Sequence, residues 1–196
     1  MRIVLRTMIL LTSLTVFCIL FSVAQTPETS STLLRELGSA QTTDRAAAQL
    51  LKRAQTEITT REYLAAHLPS MIQAGPQPPL AVWYNCVKLA GELRIAEAAP
   101  SLAKWVSIRM GSPANTLSEE AALKKSPAGT ALVQIGDPAV PALEVTLRDG
   151  NLRDRWQAAY ALNLIGTVKA KAALRDHLTS ESDDSLRDFI SRTVSK

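Results

Sequence analysis

The chain contains few residues of the types that act as nucleophiles, proton-transfer groups or metal ligands. Its two histidines, His67 and His177, lie far apart in the sequence, and so do its two cysteines, Cys18 and Cys86. The sequence has no H-E-x-x-H motif, no paired cysteines, no G-x-S-x-G and no glycine-rich phosphate loop. We therefore expect a protein that is not an enzyme and that uses no cofactor and no metal.

Cys86 lies within the apolar segment WYNCVKLAG. A cysteine in such a segment is typical of a small buried side chain, and the alternative is a reactive thiol. Cys18 lies in the apolar N-terminal stretch, so its removal with that stretch would leave one thiol and no internal disulfide.

Three residues occupy the same place in three similar segments, three positions after a leucine. They are Trp105, Thr146 and His177. In stacked helix pairs, equivalent positions of successive helices form a column, and aromatic side chains contribute much of the energy of protein interfaces. We predict these residues as candidate contacts to a partner. The alternative is that Trp105 fills the edge of the core and that His177 is a solvated residue at its boundary.

The elements that carry these residues repeat one pattern. Segments 89–102, 131–143 and 158–174 each contain an Ala/Leu-rich stretch, a short polar break and a second stretch that ends in Leu. Recurring units of this length predict stacked helix pairs. No segment alternates apolar and polar residues as a strand does. The fold class is therefore predicted to be all-α, and segment 107–127 interrupts the repeat.

The repeated segments resemble HEAT repeats, especially the short bacterial form also found in phycobilisome lyase subunits. The resemblance is carried by the Gly-Asp-Pro-x-Val-Pro-x-Leu run at 136–143 and by Asp149, Arg155 and Gly166 in the next unit. It implies a right-handed α-solenoid of antiparallel helix pairs, clearest over 131–178. It does not imply lyase activity, because one fold serves scaffolds, adaptors and a few enzymes.

An earlier unit keeps the pattern less well. Gly91, Pro100 and Leu102 match it, but Arg94 stands where a glycine between the two helices would be. Local turn signals are clearer further along. Asp137 and Pro138 are typical of a helix start, and Gly166 followed by Thr167 is typical of one helix ending and the next beginning.

The N-terminal segment has the three regions of a secretory signal peptide. A basic start is followed by an uncharged apolar run, and small residues, Ser22 and Ala24, stand before Gln25. We predict a signal peptide over 1–24, a flexible spacer over 25–31 and the solenoid over 32–196. The protein would then be exported, either periplasmic or secreted. The alternative is an uncleaved anchor, residues 7–24, in the inner membrane.

Charge argues against a nucleic-acid partner. The net charge is +4, and removing Arg2 and Arg6 with the signal peptide leaves 20 basic and 18 acidic residues, a net charge of +2 without long blocks of one sign. The predicted function is an exported scaffold or adaptor that binds a protein or peptide, a second copy of the chain included. It would touch a membrane only through an uncleaved anchor. The alternatives are binding of anionic lipid or polysaccharide at the cell envelope and an accessory, lyase-like subunit.

Overall fold

The computed structural model describes residues 30–77, 79–110 and 119–195, without the side chains of residues 119 and 120. Within these residues the regular structure is entirely helical, which confirms the predicted fold class. Short 3₁₀ turns, Ala96–Ala98 and Asp137–Ala139, lead into two of the helices. The helices are α1 (30–37), α2 (Thr43–Ala54), α3 (Ile58–Gln73), α4 (Leu80–Glu92), α5 (Ala99–Ala103), α6 (Glu119–Lys124), α7 (Pro127–Ile135), α8 (Val140–Asp149), α9 (Leu152–Ile165), α10 (Val168–Leu178) and α11 (Asp184–Val194).

The helices stack in two layers, as in an α-solenoid. Helices α2, α4, α7 and α9 pack side by side and form what we call the first-helix layer. Helices α3, α5, α8 and α10 pack side by side and form the second-helix layer. Helix α6 packs against α7 and α9, and α11 packs against α10 and α9. Each repeat therefore buries its apolar faces against its neighbours.

Leucine and alanine at helical spacing build the core between the layers. In α8, Val140, Leu143 and Leu147 fall on one face and are all buried, as their i, i+3, i+7 spacing requires. Alanines allow the helices to approach closely, and the leucines fill the remaining space. Burying one leucine side chain contributes roughly 1.5–3 kcal/mol.

The predicted turn signals are present between α9 and α10. Gly166 ends α9 in the left-handed conformation, with φ +67°. The Thr167 hydroxyl then accepts a hydrogen bond of 3.2 Å from the Ala170 N–H at the start of α10. This chemistry is local, so the sequence alone predicts it.

Arg94 occupies the glycine position after α4. Its φ is +51°, and the Ile95 N–H donates to the Ala90 carbonyl at 2.9 Å, as in helix ends that close on a left-handed residue. A side chain in this conformation costs about 1–2 kcal/mol, partly offset by the greater flexibility of glycine in the unfolded chain.

We expect Arg94→Gly to raise the free energy of unfolding by about 0.5–1 kcal/mol in chemical denaturation. The converse change, Gly166→Ala, places a side chain at φ +67° and should lower stability by a similar amount. A lower stability of Arg94→Gly would contradict the left-handed geometry.

The predicted signal peptide, 1–24, and most of the predicted spacer lie outside the described residues. Residues 30 and 31, assigned above to the spacer, instead belong to α1. Ser30 is buried there, and its hydroxyl lies 3.0 Å from Thr60 Oγ1, which ties α1 to α3. In the described part of the chain, every helix is too short or too polar to cross a bilayer.

Candidate interaction surface

Trp105 lies in the turn that follows α5, at the edge of the core. Its ring covers Gly75, where φ is +83° and an added Cβ would come within 2.6 Å of a ring carbon. The indole Nε1 is buried, with no hydrogen-bond partner in the described residues. Trp105 therefore contributes to packing between the second-helix layer and the turn after α3.

Thr146 lies on α8 and is half-buried. Its hydroxyl donates to the Ala142 carbonyl at 3.1 Å, so its own polar group is satisfied within the helix. The side chain also lines a groove on the second-helix layer.

His177 lies in the last turn of α10 and belongs to an internal ion cluster. Its Nε2 is 2.9 Å from a carboxylate oxygen of Glu181, and its side chain is only 10% exposed. Arg155 of α9 donates to both oxygens of the same carboxylate, at 3.0 and 3.1 Å. We call Arg155, His177 and Glu181 the Glu181 cluster. It connects α9, α10 and the turn before α11.

The three predicted contact residues therefore lie in different surroundings. Trp105 packs over Gly75, Thr146 lines a groove and His177 binds Glu181. No hydrogen bond or ring contact joins them within the described part of the chain. Their role in binding a partner stays a prediction.

An open groove of about 580 Å³ runs between α5 and α8 on the second-helix layer. We call it the α5–α8 groove. One part of its lining is apolar and small, and the other part is polar, with Lys104, Asp149 and Asp154. The apolar part includes Ala99, Pro100, Pro138, Pro141, Ala142 and Val145.

Sequence reasoning did not find this groove, although the signal for it was present. Pro100 and Pro141 are equivalent residues of the repeated segments, each two positions before the leucine that ends its own segment, and both line the groove. From the repeat we predicted stacked helix pairs and the contact residues Trp105, Thr146 and His177, but no groove. A recurring exposed proline would have indicated a surface that successive repeats build together.

Two smaller clefts flank Tyr84 on the first-helix layer. They measure about 340 and 450 Å³ and share Lys88 and Glu92, whose charged groups are 3.9 Å apart. Lys125 borders the larger cleft. These clefts are more polar than the α5–α8 groove and present an ion pair that is already formed.

The residues with intrinsic reactivity lie elsewhere. Cys86 is a free, fully buried cysteine, and burial raises the pKa of its thiol to about 12, so the thiol is protonated at neutral pH. This confirms the prediction of a small buried side chain. The Nδ1 atom of His67 lies 2.7 Å from the Tyr63 carbonyl oxygen. Over 30–77, 79–110 and 119–195, no three His, Cys, Asp or Glu side chains form a group that would hold a metal ion.

Residues 115–190 match the family described as HEAT repeats. The match contains α8, which forms one wall of the α5–α8 groove, and both partners of Glu181 in its cluster. No curated protein and no solved structure matches the chain. The match supports the resemblance inferred from the repeated segments, and HEAT repeats commonly serve as scaffolds for protein interactions.

Proposed function

We propose that this protein is an interaction scaffold or adaptor that binds a protein or peptide through its second-helix layer and performs no catalysis itself. The observation that carries the proposal is the α5–α8 groove, where apolar side chains from two successive repeats line one open depression. Exposed apolar depressions of this size are typical of binding sites for other molecules.

The proposal includes export and the short bacterial form of the repeat. Export is supported by the basic start, the apolar run and the small residues before Gln25. The short bacterial form is supported by the Gly-Asp-Pro-x-Val-Pro-x-Leu run at 136–143. The partner would accordingly be found in the envelope or outside the cell.

Site-specific photo-crosslinking in the native envelope fraction tests the proposal. A photoreactive residue is placed at Val145 in the groove, at Tyr84 on the first-helix layer, or at Val168, which is 88% exposed and does not line the groove. We expect a discrete protein product from Val145 and none from Val168. The mass of the recovered bait should correspond to a chain that begins at Gln25.

The absence of a product at all three positions would contradict the scaffold proposal. A product from Tyr84 alone would indicate that the partner binds to the first-helix layer. Binding to the envelope that is lost at raised salt, without any protein product, would favour the anionic lipid or polysaccharide alternative, because salt screens exposed charges.

A further inference from the structure

We infer that the α5–α8 groove binds a peptide segment in which a large apolar side chain stands beside a lysine or arginine. The inference rests on the proposed interaction function and specifies the chemistry of the partner. It follows from the chemistry of the groove, which is apolar in one half and negatively charged in the other.

The apolar half of the groove has room for a large side chain but offers no hydrogen bonds from its side chains. Pro100, Pro138 and Pro141 are exposed and have no backbone N–H, and Ala142 is short. Val145 is 50% exposed on the same wall. Because the walls are small and aliphatic, an occupant gains most by filling the volume with a large aliphatic or aromatic side chain.

The other half of the groove holds a fixed negative charge. The Asp154 carboxylate accepts hydrogen bonds from the Ser107 hydroxyl and the Asn151 amide, both at 2.5 Å, and both donors are neutral. No basic side chain of the described residues lies within 4 Å of it. The C-terminal end of α8 and the first turn of α9, which carries Asp154, contribute opposite partial charges here, so the negative charge of this half is that of the Asp154 carboxylate itself.

The other charged groups around this half do not neutralise the Asp154 carboxylate. Asp149 is already bound by the neighbouring Arg148, at 2.8 Å. Lys104, on the opposite wall, is exposed on a long side chain, whereas Asp154 is half-buried in the wall itself. A cationic group on the occupant is therefore the complement that the fixed charge of Asp154 favours.

Selection from a displayed library of random twelve-residue peptides tests the inference on the full chain. Rounds on the immobilised protein alternate with depletion on the bare support, and the enriched peptides are then measured on each variant. We expect the enriched peptides to pair large apolar residues with lysine or arginine. Their affinity should fall about tenfold for Val145→Ser, which removes apolar contact. The matched control, Val168→Ser, changes an exposed valine outside the groove and should leave affinity unchanged.

A charge reversal in the groove tests the preference for a cationic peptide. Lys104→Glu adds a negative charge to the groove and should strengthen binding of the enriched peptides about two- to fivefold, since an exposed charge pair contributes little more. Both substituted side chains are exposed, and the thermal unfolding midpoint of each variant shows that the fold is intact.

The possible outcomes distinguish failure of the peptide inference from failure of the scaffold proposal. Acidic peptides, or weaker binding by Lys104→Glu, would overturn the inference. Peptides that bind Val145→Ser normally but lose affinity with Tyr84→Ala would also overturn it, while the scaffold proposal would stand on the other layer. No enrichment, together with no photo-crosslinked product, would remove the proposed function and the inference with it.

Discussion

Replacing Glu181 with glutamine should lower the free energy of unfolding by about 3 kcal/mol, because removing the carboxylate of a buried ion pair leaves its charged partner uncompensated. The Glu181 side chain is fully buried, and Arg155 and His177 are only 19% and 10% exposed. Arg155 would then keep its charge among protein atoms without a counter-ion. Helix α11 should loosen first, because the Glu181 carboxylate also accepts a hydrogen bond of 2.8 Å from the N–H of Asp183, the residue that caps this helix.

The same prediction has a defined pH dependence. Burial raises the pKa of the Glu181 carboxyl, but hydrogen bonds from Arg155, the Asp183 N–H and His177 outweigh it and lower the pKa to about 2, from 4.5. A lowered pKa means that the stabilisation is complete above about pH 4.5 and is lost as the pH falls towards 2. The difference between these two pKa values corresponds to about 3 kcal/mol of stability.

Urea unfolding at pH 7, 5, 4 and 3 measures this contribution. We expect the gap between the wild type and Glu181→Gln to be largest at pH 7 and 5 and to narrow below pH 4.5. The matched control is Asp149→Asn, which removes an exposed ion pair with Arg148 and should leave stability nearly unchanged at every pH. Equal effects of the two variants would show that the Glu181 cluster is not buried as described.

The Glu181 cluster also shows what the sequence could not predict. Glu181 belongs to an acidic segment, SESDD, whose composition is typical of a helix start. Its partner Arg155 is 26 positions away and was assigned only to the repeat pattern. Local composition predicts that a helix begins here, but only the packing of α9 against α10 determines which acid turns inward.

Features that depend on neighbours in the chain were predicted more completely. Arg94 was identified at the glycine position because the repeats align there, and its φ of +51° agrees. The α5–α8 groove was not predicted, although Pro100 and Pro141 recur in register. The repeat shows that Pro100 and Pro141 are equivalent. Whether they face the same surface depends on the 3₁₀ turns that precede α5 and α8.

Enlarging Gly91 should separate the first-helix layer and lower stability in proportion to the size of the new side chain. A Cβ at this position would lie 2.9 Å from Cα and 3.0 Å from Cβ of Ala131, so α4 and α7 would have to move apart. In Gly91→Ala, the higher helix propensity of alanine should contribute about 0.5–1 kcal/mol to stability, and the close contact with Ala131 should cost more than that. Leucine should lower the free energy of unfolding by about 3 kcal/mol or more, because overpacking cannot be relieved by backbone atoms.

Gly136 provides the matched control, because its constraint is of the opposite kind. Its φ is +79°, yet an added Cβ would meet no atom within 4 Å. Its ψ is −139°, outside the left-handed helical region, so Gly136→Ala should lower stability by about 1–3 kcal/mol through backbone strain, and Gly136→Leu should lower it no further. Chemical denaturation of the four variants separates the two causes, since only position 91 should depend on side-chain size. If Gly91→Leu were no less stable than Gly91→Ala, α4 and α7 would not be in the close contact on which the stacking of these repeats depends.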